Sequence, residues 1–247
     1  MDQPVIAVIP ARYGSTRFPG KPLADVFGKP MVVRVMELAM GAGVFADVLV
    51  ATDDERIARV VEEHGGKAVM TPVECPNGTA RCHAAASHWE TATGKGVHAV
   101  VNVQGDEPYV HPDQLRELVR LIQKPGAAVA TLAKFMPPDA EGLNDPNRVK
   151  VVCDAKGRAL YFSRSAIPHG PGGWHKHIGL YAFTRSALEA LMELHPTPLE
   201  SRERLEQLRW IESGWRVDVG LTTHETPSVD TPRDLAQLPP PSFDPKT

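Results

Sequence analysis

The chain has 247 residues, 42% of them apolar and 23% charged, with a formal net charge of −3. That length suits one large α/β domain or a domain carrying an insertion. The slightly acidic balance gives no basis for nucleic acid or an anionic membrane as partner, so any cationic site is local. No apolar run reaches the roughly 20 residues of a membrane span. Met1-Asp2-Gln3-Pro4 has neither the basic nor the apolar region of a secretory leader, so a cytoplasmic protein is expected. Cys75, Cys82 and Cys153 are odd in number and lack C-x-x-C spacing, which fits free thiols in a reducing compartment. His175-Lys176-His177 has no further ligands at zinc spacing.

Taken in order, Val5–Ile9 reads as a buried first strand, and a loop carrying Arg12, Ser15, Arg17 and Lys21 follows at once. Pro30–Met40 has helical periodicity, with Val32, Val33, Met36 and Met40 on its apolar face. Asp47–Thr52 is a second strand. Asp54–His64 is a helix, with Asp53 as candidate N-cap, stopped by Gly65-Gly66. Lys67–Met70 is a short strand, Thr79–Glu90 a helix, His98–Val103 a strand, Pro112–Gln123 a helix and Ala127–Leu132 a strand. This alternation of strands and helices predicts an α/β fold, a doubly wound and mostly parallel sheet, in which ligands bind beyond the carboxyl ends of the strands. The texture changes near residue 148. Val149–Cys153 and Leu160–Phe162 flank the turn at 154–158 as a β-hairpin, Ile178–Phe183 is a strand and Arg204–Glu212 a helix. Val217–Val219 rejoins the sheet, and Asp230-Thr231-Pro232 opens a last short helix with Asp230 or Thr231 near its N-cap. The predicted organisation is a nucleotide-binding core of residues 1–135 and 215–238, a smaller mixed α+β insertion of 136–214, and a flexible tail of 239–247.

The loop after the first strand outlines a polyanion site: glycines at 14 and 20 permit close backbone approach, and four polar or cationic side chains surround them. Its spacing is neither that of a dinucleotide fingerprint nor that of the ATPase P-loop. A dehydrogenase would want that fingerprint, and only the acid ending the second strand, Asp53, is present. Asp106, beside Gly105 at the end of the fourth strand, is placed to hold Mg²⁺ together with phosphate, although its spacing alone favours capping the helix near Pro112 or closing a turn. Asp230 is the second such carboxylate. Asn77-Gly78-Thr79-Ala80-Arg81 offers helix-start amides and an arginine for an anion or a base edge; its plainer reading is a capped helix with a solvated arginine.

These blocks stand in order with others: A-T-D at 51–53, N-V-Q-G-D-E-P at 102–108, V-K-V-V at 149–152, Y-F-S-R at 161–164, H-I-G-L-Y at 177–181, L-E-Q-L-R at 205–209 and V-D-T at 229–231. Together with I-P-A-R-Y-G-S-T-R-F-P-G-K-P-L at 9–23, they resemble the 3-deoxy-manno-octulosonate (Kdo) cytidylyltransferases, from about residue 5 to 238. The resemblance implies a Rossmann-like nucleotidyltransferase fold. It implies transfer of CMP from CTP to the anomeric hydroxyl of Kdo with release of pyrophosphate, for lipopolysaccharide or capsule sugar activation, with Mg²⁺ as cofactor. The implied partners are CTP and an acidic 2-keto-3-deoxy sugar, and the implied assembly is a homodimer formed through the smaller half. By position, Ala11, Arg12, Ser15 and Lys21 would bind the nucleotide on its phosphate side and Thr79, Arg81 and Gln104 on its nucleoside side. Asp106 and Asp230 would hold magnesium, and Arg164, His177, Tyr181, Glu206 and Gln207 would line the sugar site. Arg12, Lys21, Asp106 and Asp230 are the implied catalytic set.

That chemistry explains the residue types. The anomeric hydroxyl is a poor nucleophile and the α-phosphorus is shielded by negative charge, so catalysis is positioning plus charge stabilisation. Ala80 departs from the family pattern, which carries an acid there. The acceptor is thereby left open to 8-amino-Kdo or a sialic acid, and a catalytically silent nucleotide-binding regulator is the reading from another class. The complete set Arg12, Lys21, Asp106 and Asp230 weighs against silence.

Overall fold

Three largely buried segments form the middle of the first sheet, and a shorter one with exposed ends lies at its edge. The computed structural model describes residues 4–14 and 17–240. It divides into two units: Met1–Arg116 with Glu225–Thr247, and Glu117–His224. In the first unit, β1 (Val5–Ala11) lies between β2 (Asp47–Thr52) and β4 (Ala99–Asn102), and β3 (Lys67–Met70) pairs outside β2, all parallel. The order β3-β2-β1-β4 reverses direction between β1 and β4. Right-handed crossovers then put α1 (Met31–Gly41) and α2 (Glu55–Glu63) on one face and α3 (Gly78–Thr93) on the other. Central strands covered on both faces read as continuous apolar runs, and Val5 to Ile9 are all buried. The helix α4 (Pro112–Ile122) follows β4. Met40, expected on the apolar face of α1, is instead half exposed, at the helix's last turn.

Two neighbouring aspartates after β2 divide their labour. Asp54, not Asp53, caps α2: its Oδ1 accepts from the Arg56 N–H at 2.9 Å. Asp53 instead accepts from Arg81 Nη2 at 2.9 Å, and Arg81 Nη1 donates to Thr71 Oγ1 at 2.6 Å. Arg81 is 3% exposed, so this buried pair ties the end of β2 to the first turn of α3. The solvated arginine of the plainer sequence reading is therefore not what the fold contains.

The second unit is a mixed sheet. β5 (Val129–Met136) pairs antiparallel with β8 (Trp174–Thr184) and parallel with β9 (Val217–Leu221). β6 (Lys150–Cys153) and β7 (Ala159–Ser163) form the expected hairpin, and β6 also touches β8. The unit boundaries differ from those drawn on the sequence, because β5 and β9 go with β8: eight residues of β5 lie in register with it. The helix expected over 204–212 starts only at Gln207, and two helices not expected from the sequence precede it. α5 (Arg185–Met192) is followed by α6 (Pro198–Glu203) and α7 (Gln207–Glu212). Arg204 takes a left-handed φ of 53° and ends α6. The chain then returns to the first unit, where Thr231 caps α8 (Pro232–Ala236) through a capping box with Asp234. Val229 and Leu238 bury there against Val26 and Met31. Of the tail, residues 241–247 lie outside the described ones, while the Pro239 carbonyl accepts from the Tyr109 hydroxyl.

The β5–β8 ladder slips between Thr131↔Tyr181 and Leu132↔Ile178. One step along β5 meets three along β8, so two extra residues bulge out and alternation is kept. His177 and Tyr181 thus share a side, with ring centroids 5.4 Å apart. Thr131 fills the bulge: its hydroxyl donates to the Leu180 carbonyl at 2.7 Å and sits 2.9 Å from His177 Nε2. The hydroxyl has one hydrogen, so the imidazole donates to it from Nε2. Burial pushes the His177 pKa down to about 3.

Two outcomes follow from these buried groups. Asp53→Ala strands the Arg81 charge, and the urea midpoint should report a loss of about 3 kcal/mol. His177 binds its proton far less readily folded than unfolded, so its contribution is full above about pH 6.5 and is lost as pH falls toward 3, at up to about 1.4 kcal/mol per pH unit. Unfolding free energies measured from pH 7 to 4 should fall less steeply in His177→Gln than in the parent chain.

Candidate active site

Where the order of a parallel sheet reverses, the loops leaving the two strands diverge and a crevice opens at their carboxyl ends. In the first unit that point lies between β1 and β4. An open cleft of about 340 Å³ occupies it, lined by Pro10, Ala11, Arg12, Arg17, Lys21, Asn77, Gly78, Arg81, Gln104, Gly105, Asp106 and Asp230, among others. Two glycines shape it. Gly20 has a φ of 71° and donates its N–H to the Tyr13 carbonyl at 3.0 Å, and a Cβ there would lie 3.2 Å from the Tyr13 ring. This turn aims Lys21 back across the strand ends. At Gly105 a Cβ would stand 2.7 Å from the Pro10 carbonyl oxygen, so only glycine lets the loop after β4 close on the end of β1.

The close approach brings Asp106 to Lys21. The Lys21 ammonium donates to Asp106 Oδ2 at 2.7 Å and to the Val229 carbonyl at 3.0 Å, and lies 3.6 Å from Asp230 Oδ1. Arg17 Nη2 reaches the same Asp230 oxygen at 3.0 Å, in an exposed pair. Asp106 therefore neither caps α4 nor closes a turn with its side chain; it faces the cleft. Arg12 is exposed at the cleft's edge. With Arg81 paired to Asp53, three further cationic side chains meet two carboxylates in this lining, and the positive surplus suits a polyanion.

The other nucleotide-side residues divide. Ala11, Arg81 and Gln104 line the cleft. Thr79 is buried in the first turn of α3 and lies outside the described lining. Ser15 lies outside the described residues. At the start of α3 the Asn77 side chain accepts from the Ala80 N–H at 2.9 Å, which holds the helix start at the cleft wall. Sequence reasoning missed the Val229 carbonyl, which as backbone has no sequence signal. It also missed the pairing of Asp53 with Arg81, although both motifs were visible.

The five residues of the implied sugar site all lie in the second unit. Tyr181 is 8% exposed, and its hydroxyl has no hydrogen-bond partner among the described residues. Burial, with the Glu206 charge adding, holds that hydroxyl well above its ordinary pKa. Its ring packs edge-on against Trp210 of α7 at 5.1 Å. Gln207 is buried at the first turn of α7, immediately after Glu206. The Arg164 guanidinium donates to three backbone carbonyls: from Nε to Glu203 at 2.7 Å, from Nη1 to Pro146 at 2.9 Å and from Nη2 to Arg204 at 3.3 Å. Two of its five N–H groups remain for a ligand. No helix among the described residues is long and apolar enough to cross a membrane.

Comparison with known proteins adds an independent line. A sequence model of the family described as "Cytidylyltransferase" matches residues 6–219. The chain is 46% identical to a 3-deoxy-manno-octulosonate cytidylyltransferase of Porphyromonas gingivalis, with 95% of each chain covered. It is 46% identical to that of Phocaeicola vulgatus, with 94% of each covered. A solved CMP:2-keto-3-deoxy-manno-octonic acid synthetase complexed with CTP superposes with a TM-score of 0.87 at 38% identity, covering 95% of this chain and 96% of that one. The mostly parallel α/β nucleotidyltransferase fold is shared with it. Family model, relatives and solved structure agree over nearly the whole chain: it belongs to the 3-deoxy-manno-octulosonate cytidylyltransferase family.

Proposed function

We propose that this chain transfers CMP from CTP to the anomeric hydroxyl of 3-deoxy-D-manno-octulosonate, releasing pyrophosphate. The observation that carries the reading is the Lys21 ammonium held among Asp106, Asp230 and the Val229 carbonyl, in a cleft also lined by Arg12, Arg17 and Arg81. A solved relative of the same fold is described with CTP. In the reaction the acceptor oxygen bonds to the α-phosphorus, the bond from that phosphorus to the bridging oxygen breaks on the opposite side, and the hydroxyl proton is lost. Lys21 and Arg12 neutralise charge on the α-phosphate and the departing pyrophosphate, worth most where they are already oriented. Gln104 and Arg81 hold the nucleoside side, with Arg81 fixed beforehand by Asp53 and Thr71.

Asp106 and Asp230 would hold Mg²⁺. The fit rests on donor chemistry: both present a carboxylate oxygen within 4 Å of a single cationic atom, as a hard divalent ion requires. When bound, that ion screens the triphosphate and lowers the pKa of a coordinated hydroxyl. Arg164 offers two remaining N–H groups to the sugar carboxylate, while Glu206, Gln207, His177 and Tyr181 give the second unit its polar lining. Homodimerisation and a cytoplasmic setting complete the reading; three cysteines without disulfides support the latter.

Pyrophosphate release on mixing the protein with CTP, Mg²⁺ and acceptor tests the assignment, with Kdo, 8-amino-Kdo and a sialic acid assayed side by side because Ala80 departs from the family pattern. Kdo should give the highest kcat/KM. Release with none of them would leave a nucleotide-binding regulator. Asp106→Asn should keep the parent's circular dichroism and thermal midpoint within a few degrees, while turnover falls about a hundredfold or more. Near-normal turnover would remove Asp106 from the reaction.

A further inference from the structure

Within the second unit, Glu203 holds the segment that carries Arg164 of the implied sugar site. Glu203 ends α6 and is only partly exposed. Its Oε1 accepts from the Ser163 hydroxyl at 2.7 Å and from the Tyr161 hydroxyl at 3.3 Å, and its Oε2 accepts from the Arg164 backbone N–H at 2.8 Å. Its own carbonyl accepts from Arg164 Nε. The polar members of the Tyr161–Arg164 segment thus converge on one carboxylate, and the guanidinium grips the same residue's backbone in return. On the other side of the segment the fully buried Lys150 ammonium donates to the Arg164 carbonyl at 2.5 Å and to the Asp145 carbonyl at 3.0 Å. Arg164 is therefore fixed at its N–H, at its carbonyl and along its guanidinium.

The turn between α6 and α7 is fixed by the same contacts. Arg204 sits in the left-handed region with φ of 53°, a conformation that costs a non-glycine residue on the order of 1 kcal/mol and must be held by its surroundings. The Arg164 Nη2 bond to the Arg204 carbonyl is such a hold. Glu206 and Gln207 follow directly, at the start of α7. We propose that Glu203 is a positioning residue for acceptor binding: it locks Arg164 and the α6–α7 turn together, so that the two free guanidinium N–H groups and the side chains of Glu206 and Gln207 meet the acidic sugar in one fixed arrangement. The proposal rests on the assignment of Arg164, Glu206 and Gln207 to the sugar site.

The test is steady-state kinetics with CTP, Mg²⁺ and Kdo on the full chain. Removing an acceptor that orients ligand groups should act on acceptor binding, so Glu203→Ala should raise KM for Kdo about tenfold or more and leave KM for CTP within about twofold. Glu203→Gln keeps an acceptor oxygen for Ser163 or Arg164 and should restore KM for Kdo to within about threefold of the parent. If Glu203→Ala does not fold, Glu203→Asp, which withdraws the carboxylate by one methylene, should show the same asymmetry. A parallel rise in both KM values, or no rescue by Gln, would reduce Glu203 to a structural role and overturn the proposal. Arg164→Ala separates the two layers. If it raises KM for Kdo while Glu203→Ala does not, the positioning claim fails and the sugar site stands. If neither variant moves KM for Kdo, the sugar-site assignment fails and takes the proposal with it.

Discussion

A lysine ammonium held by three oxygens organises the first unit. Lys21 meets Asp106, which is 85 positions away in sequence, and the Val229 carbonyl, which is 208 away. Without that cation, two carboxylates would face each other across a cleft with nothing to offset their repulsion. With it, the loop after β1, the loop after β4 and the returning C-terminal segment share one small volume. Gly105 is a steric condition for this arrangement, since a side chain there would push the two loops apart, and Gly20 supplies the positive φ of its turn. The apolar contacts of Val229 and Leu238 with Val26 and Met31 hold the returning segment in place. Charge and packing therefore act on the same loops, and the result is a cleft with surplus positive charge at a sheet's topological switch point.

The second unit solves a different problem, that of keeping polar groups buried without leaving them unpaired. Thr131 does this in the β8 bulge, taking up carbonyls that the ladder leaves out and fixing the His177 tautomer. Lys150 does it with two carbonyls, although burial still depresses its pKa. The Tyr181 hydroxyl is an exception, as is the Trp174 indole N–H. A buried hydroxyl without a partner carries a cost of about 1–3 kcal/mol, which a polar ligand could relieve. That fits the sugar-binding role proposed for the face it shares with His177.

Much of this was legible in the sequence because the deciding forces are local. Continuous apolar runs marked β1, β2 and β4, since strands covered on both faces need no polar alternation. The loop carrying Arg12, Arg17 and Lys21 outlined a polyanion site, the family resemblance added Asp106 and Asp230 to it, and all five line one cleft. What escaped depends on contacts between distant segments. Asp53 and Asp54 are equally good caps by residue type; Arg81, approaching from α3, decides which is left for the ion pair. Arg204 is an ordinary helix former, and contacts from outside α6, those of Arg164 with the Glu203 and Arg204 carbonyls, accompany the left-handed φ that ends the helix there. β8 extends to Trp174, before its apolar run starts, because β5 offers ladder partners along its whole length.

The central claim is that Lys21 and Asp106 work as one unit on the triphosphate. A double-mutant cycle of Lys21→Met and Asp106→Asn, read as kcat/KM for CTP at saturating Kdo, tests it most directly. If the two side chains act jointly, the double variant should lose far less than the product of the two single losses, giving a coupling energy of about 1 kcal/mol or more. Single effects that simply multiply would show that the two groups act independently, and would contradict the account.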